Sequence, residues 1–123
     1  MASAKIHLRC DVPVRDLLCS AIRDYAFAAY PAGGSDCAQV ARYTLLELAD
    51  QIEQGINEHV HELAISRRPR AMVRAALQYH FDRQDDASRA SSLQQRDLMA
   101  ALLQERPVSA ADLARARAAD ART

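Results

Sequence analysis

Tryptophan is absent, and the chain of 123 residues holds only three glycines and four prolines. That scarcity excludes collagen-like, low-complexity and turn-rich all-β chains, which need those residues at every reversal. Aromatic residues make up only 5%. The apolar half of the composition is therefore rich in small side chains, alanine foremost. Net charge is missing as well, since sixteen basic residues face sixteen acidic ones. No global field draws the chain to nucleic acid or to an anionic membrane. Low net charge with ample Leu, Ile and Val also excludes disorder of the whole chain. The length suits one domain with a short appended tail.

Three cysteines, Cys10, Cys19 and Cys37, are an odd and widely spaced set without a C-x-x-C pair. They fit reduced thiols in a cytosol better than a disulfide framework. No apolar run reaches the roughly 18 residues of a membrane span. Residues 1–10 hold neither the apolar core nor the cleavage site of a secretory leader. Fifteen of the sixteen basic residues are Arg, a bias that, beside so much Ala, matches the coding of a GC-rich bacterium. A cytoplasmic bacterial protein without membrane contact is the expectation.

Breakers do most of the parsing. Pro13, Pro31, Pro69 and Pro107, with Gly33, Gly34 and Gly55, separate stretches of helical periodicity. Ahead of Pro13, residues 5–10 alternate polar and apolar, the one strand candidate in the chain. A first helix is expected from Asp11, its stripe running Val14, Leu17, Leu18, Ala21, Ile22, Tyr25 and Ala29. A second starts at Ser35 or Asp36, where Asp36 with Gln39 makes a capping box, and carries Ala41, Leu45, Leu48 and Ile52. Gly55 either ends it or bends it, because Ile56, Val60 and Leu63 continue the period. Pro69 opens a third helix with Met72, Val73, Ala76, Leu77, His80 and Phe81 on one face. Ser92 with Gln95 caps a fourth that buries Leu98, Met99, Leu102 and Leu103, and Ser109 caps a last, Ala-rich one. The fold class expected is all-α or nearly so: about five short amphipathic helices in a small bundle, with at most one short N-terminal strand. Residues 1–106 form the single domain, and 107–123 a partly frayed C-terminal helix.

Charge is uneven along the chain. Residues 36–66 carry six acidic and one basic side chain, and residues 67–83 carry five basic and one acidic. Two accounts follow. The acidic helix and the basic one pack antiparallel and neutralise each other, or each presents its charge to a partner.

Glu58, His59, His61 and Glu62 are the most metal-like cluster. On a helix His59 and Glu62 share a face, but zinc needs three or four ligands, and His80, the donor left to recruit, sits in an apolar stripe. No metal and no cofactor are expected. Gly33-Gly34 lacks the Lys and the preceding buried strand of a phosphate-cradling loop. Asp85-Asp86 lie in a polar loop, and no cysteine has a base assigned to it by spacing. The chain is not expected to be an enzyme.

Residues 5–54, an amphipathic strand, a helix, a Gly-containing turn and a capped second helix, resemble a ribbon-helix-helix repressor. The resemblance implies strands paired across a dimer, with Lys5, His7 and Arg9 directed into the DNA major groove. The first helix is longer than in that family and the second is acidic where phosphates would lie close. Residues 98–115 resemble the opening two helices of helix-turn-helix domains, and no residue is carried over from that likeness.

The leading expectation is a non-enzymatic regulator that binds another protein, of anti-activator or transcription-factor-inhibitor type, with DNA binding through the strand as the alternative. Tyr25, Phe27 and Tyr30 on the first helix cannot all hide behind one stripe. They are the contact candidates, with Arg67, Arg68 and Arg70 as a charged rim, Tyr and Arg being enriched in interface anchors. Modest packing volume per helix argues for a homodimer through the strand, the first helix or both.

Overall fold

The computed structural model describes residues 5–68, 70–83 and 100–112. Five elements follow one another: strand β1 (Lys5–Arg9), helices α1 (Val12–Ala29) and α2 (Asp36–Gly55), strand β2 (Glu62–Ser66) and helix α3 (Arg70–Asp82). Shorter helical stretches lie at 100–103 and 110–112. The chain is mostly helical with a short two-stranded antiparallel sheet, compatible with a small helical bundle.

β1 forms where the alternation predicts it. Ile6 and Leu8 point inward at 1% and 0% exposure, while Lys5, His7 and Arg9 face solvent. Its partner is β2, with Ile6 opposite Ile65 and Arg9 opposite Glu62. This second strand corrects the expectation of one strand at most. It also removes residues 56–63 from the helical reading, so His59 and Glu62 share no helix face. α2 ends at Gly55, and Ile56 is already extended (φ −106°, ψ 124°). The Asn57 side chain then accepts the N–H groups of His59 and Val60 at 2.9 and 3.0 Å, while Asn57 and Val60 exchange backbone hydrogen bonds. An Asn that bonds its own downstream backbone offers the chain a turn in place of another helical turn. Apolar residues at 56, 60 and 63 fit a helical period, yet Leu63 and Ile65 equally fit one face of a strand; so short a run does not discriminate.

α1 is the central helix and packs against both α2 and α3. Asp11 is its N-cap and Pro13 lies in its first turn, as the sequence predicts. Its buried side chains are Val14, Leu18, Cys19, Ala21, Ile22 and Ala26. α2 runs antiparallel to it: Arg15 donates to the Ile56 carbonyl (2.8 Å) and the Cys19 thiol to the Ala49 carbonyl (3.4 Å). The N-cap of α2 is Ser35, whose hydroxyl accepts from the Ala38 N–H. Gln39 reaches back to the Pro31 carbonyl instead of completing a box with Asp36. Leu45, Leu48, Ala49 and Ile52 of α2 and Val73, Ala76 and Leu77 of α3 complete the core with Leu102, Leu103 and Val108. Each fully buried Leu or Ile contributes about 1.5–3 kcal/mol of transfer free energy.

The region around 100–112 is tied to β1. Residues 100–103 end in a Schellman turn, with Glu105 left-handed (φ 63°) and the Arg106 N–H returning to the Ala101 carbonyl at 2.8 Å. Val108 then bridges Cys10 in parallel, donating to the Arg9 carbonyl and accepting from the Asp11 N–H. Ser109 caps the following turn through its hydroxyl, which accepts from the Asp112 N–H, and Asp112 accepts in return from the Ser109 N–H. The capping pair Ser92 and Gln95, with Leu98 and Met99, lies outside the described residues, as does the chain beyond 112.

Candidate functional site

The three candidate aromatics of α1 divide between core and surface. Tyr25 and Tyr30 are half-buried and packed against the core. Tyr25 meets Tyr30 edge-on at 6.1 Å and Tyr79 of α3 at 5.8 Å. Burial, and next the neighbouring Tyr30, raises the Tyr25 phenol above its ordinary pKa. Phe27 is different. It stands off the buried stripe and is 58% exposed.

Phe27 has company that the sequence reading missed. Val40 and Tyr43 on α2 are 64% and 60% exposed. Register across the α1–α2 pair places them. Arg23 of α1 reaches Asp50 at 2.9 Å and Glu53 at 2.6 Å on α2. Phe27 lies one turn beyond Arg23 and Tyr43 two turns before Asp50, spacings that keep residues on one helix face, while Val40, one turn before Tyr43, stands about 80° round the helix from Asp50. In an antiparallel pair both directions lead to the same end, so the edge marked by the Arg23 ion pairs continues into Phe27 and Tyr43, with Val40 beside Tyr43 on the exposed face of α2. The Arg42 guanidinium lies 5.4 Å from the Tyr43 ring centroid and stiffens it. The legible signal was two apolar residues three apart, both off the stripe of Ala41, Leu45, Leu48 and Ile52.

The arginine rim stands elsewhere. Arg67, Arg68, Arg70 and Arg74 line a groove of about 830 Å³ between the start of α3 and residues 100–104, and none of the three aromatic candidates lines it. The Arg70 guanidinium donates to the Leu103 carbonyl, one of the last carbonyls of a helical stretch, which have no intrahelical partner. The antiparallel neutralisation of an acidic helix by a basic one is not what forms. α2 and α3 each pack on α1, and Asp50 and Glu53 pair with Arg23 instead.

On the sheet, Lys5, His7 and Arg9 share the solvent face of β1, with Arg9 3.7 Å from Glu62. β1 pairs within the chain, to β2 along its length and to Val108 at Cys10. The ribbon-helix-helix arrangement pairs that strand with its symmetry mate, so the β-α-α-β-α order departs from that family's topology.

Cys10 and Cys19 are buried. Burial pushes the Cys10 thiol up from 9.0 to about 12 and the Cys19 thiol to about 11, so both stay protonated at neutral pH and neither is poised as a nucleophile. Beside Cys10 a hollow of about 320 Å³ is lined by Asp11, His61 and Asp112. Its two carboxylates are taken up by the N–H groups of Ala110 and Ser109. Among the described residues no three His, Cys, Asp or Glu side chains gather as a metal site, and no helix is long and apolar enough to cross a membrane.

No protein-family model, curated protein or solved structure matches the chain.

Proposed function

We propose that the chain is a regulatory protein that acts by binding another protein, and that the Phe27, Val40 and Tyr43 edge of α1 and α2 is the contact. One observation supports this reading above the others: Phe27, Val40 and Tyr43 are the large apolar side chains of α1 and α2 left mostly exposed, while the other large ones on that helix pair are buried or half-buried. Exposed apolar patches rimmed by polar residues mark interaction sites, and an aromatic anchor on a rigid helix loses little conformational entropy on docking. Tyr25 packs on Tyr30 and on Tyr79 of α3 and, like Tyr30, is half-buried, so Phe27 is the one of the three that leads the contact. Within this class the reading is an anti-activator or transcription-factor inhibitor, whose target is itself a DNA-binding protein. Homodimerisation through the same edge is part of the proposal, with sedimentation velocity as its check.

Capture of the tagged chain from the cells that make it, with and without nuclease, tests the reading. A stoichiometric protein that survives nuclease and is lost with Phe27→Ser supports it. A capture unchanged by Phe27→Ser and Tyr43→Ser together removes it.

A second reading, DNA binding through β1, draws on the common solvent face of Lys5, His7 and Arg9. It requires duplex binding that falls steeply with salt and is abolished by Arg9→Ala. Indifference to DNA at low salt ends it.

A further inference from the structure

We propose that the groove lined by Arg67, Arg68, Arg70 and Arg74 binds a phosphoryl-bearing small molecule of nucleotide size. This does not rest on the protein-binding reading, since none of Phe27, Val40 and Tyr43 lines the groove.

Charge distribution is the first observation. The chain as a whole is neutral, yet these four guanidinium groups open onto one concavity that, among the described residues, is lined by no carboxylate. Among the described residues the ion pairs involve Arg9, Arg15 and Arg23, and none of the groove arginines. Asp82, one turn beyond Gln78, is turned to the Gln78 amide at 2.8 Å. Four cations held near one another with no counter-charge among the described residues repel, and a ligand carrying several negative charges in a small volume relieves that repulsion.

Shape is the second. A space of about 830 Å³ falls within the ~300–1,000 Å³ typical of small-molecule sites, and concave sites of that kind are not the shape of a flat protein interface. Ala71, Ala100 and Leu103 give it an apolar floor on which the uncharged body of a ligand can lie. Arg70 and Ala71 are the first two residues of α3, so the positive end of the helix dipole adds to the same field. Arg70 is fixed by its bond to the Leu103 carbonyl and serves as the rigid wall. Arg67, Arg68 and Arg74 are exposed and close as planar forks, each matched to two phosphate oxygens. A carboxylate engages one fork at a time, whereas a polyphosphate presents oxygens to all of them.

Isothermal titration of the intact chain at low ionic strength tests this with four probes: sodium tripolyphosphate, ATP, a single-stranded thymidine oligonucleotide and a poly-glutamate peptide. Tripolyphosphate and ATP are expected to bind one to one, more weakly as salt rises. Arg67→Gln and Arg74→Gln each weaken binding about tenfold, the loss of one charge-assisted contact, while thermal unfolding of both variants matches the parent. Equal affinity for the two probes assigns recognition to the phosphoryl groups alone, and tighter ATP places the nucleoside on the apolar floor; both support the proposal. It is overturned if neither probe binds or if the double variant Arg67→Gln/Arg74→Gln binds them as well as the parent does. Binding of only the oligonucleotide, or only the acidic peptide, overturns it in favour of that macromolecule. Because no partner protein is present, failure here leaves the Phe27 edge untouched.

Discussion

Asp11 accepts the backbone N–H of Ala110 at 2.5 Å across 99 positions of sequence, with the carboxylate oxygen that its own helix does not use. The other oxygen takes the Val14 N–H at 3.4 Å, capping α1. One carboxylate therefore serves two helix starts, where the helix dipole favours negative charge. Asp11→Ala is expected to cost about 2 kcal/mol in urea unfolding, roughly 1 for the cap and the rest for the second bond. Hydrogen exchange at residues 108–112 is expected to quicken in the same variant, because their tie to β1 is loosened. Exchange unchanged there would mean the Val108 bridge holds that segment without Asp11.

Gly55, the last residue of α2, lies close against Leu63 of β2. A Cβ at Gly55 would lie 2.6 and 2.9 Å from the two Leu63 methyl carbons, closer than such atoms approach. Gly55→Ala is therefore expected to cost about 1 kcal/mol, crowding outweighing the helical preference of alanine. In a Leu63→Ala background the sign reverses, and the same change stabilises by about 0.5 kcal/mol. A double-mutant cycle reads this directly. Additive effects would show that the two residues do not press on each other.

The thiols are separable by exposure. Cys37 is exposed while Cys10 and Cys19 are buried, so a thiol reagent is expected to modify one cysteine per native chain and three after unfolding. Stability is linked to pH through the same two groups. Their folded pKa values, about 12 and about 11, stand above the ordinary 9.0. Between these limits the unfolded chain releases protons that the folded one keeps. Their contribution is whole below pH 9 and lost as pH climbs toward 11 and 12, with a slope of up to about 1.4 kcal/mol per pH unit for each thiol. Cys10→Ala/Cys19→Ala is expected to flatten that alkaline slope even though the cavities lower stability overall.

Arg23 makes the conspicuous ion pairs of the α1–α2 edge, yet Asp50 and Glu53 are well exposed. Arg23→Ala is expected to cost less than about 1 kcal/mol, and less again in high salt. A larger loss would point to packing of the arginine stem against α2.

Much of the helical frame was legible because its determinants are local. Asp11 and Pro13 mark a helix start by their own chemistry, and the stripes from Val14 to Tyr25 and from Leu45 to Ile52 are long enough for period 3.6 to be unambiguous, although the last expected member, Ala29, is exposed and Ala26 is buried in its place. β2 was not legible. Five residues do not fix a period, and the strand exists because Ile65 finds Ile6 from the far end of the sequence. The basic stretch 67–74 was visible as composition, but its destination depended on residues 100–104 packing opposite it, a tertiary fact. Phe27 was found as an aromatic off its stripe. Val40 and Tyr43 carry the same signal on α2, but beside the periodic Ala41, Leu45, Leu48 and Ile52 two apolar residues three apart do not stand out.

Binding through the exposed edge of α1 and α2 is tested by comparing wild type with the double variant Phe27→Ser/Tyr43→Ser. Both side chains are mostly exposed, so the variant is expected to unfold within about 0.5 kcal/mol of the parent for each change. Quantitative capture from the producing cells, with nuclease present and self-association followed by sedimentation velocity, then isolates the surface from the fold. The expected result is a stoichiometric protein partner, or a second copy of the chain, bound by the parent and lost by the variant. A partner retained at full stoichiometry by the folded variant would contradict it.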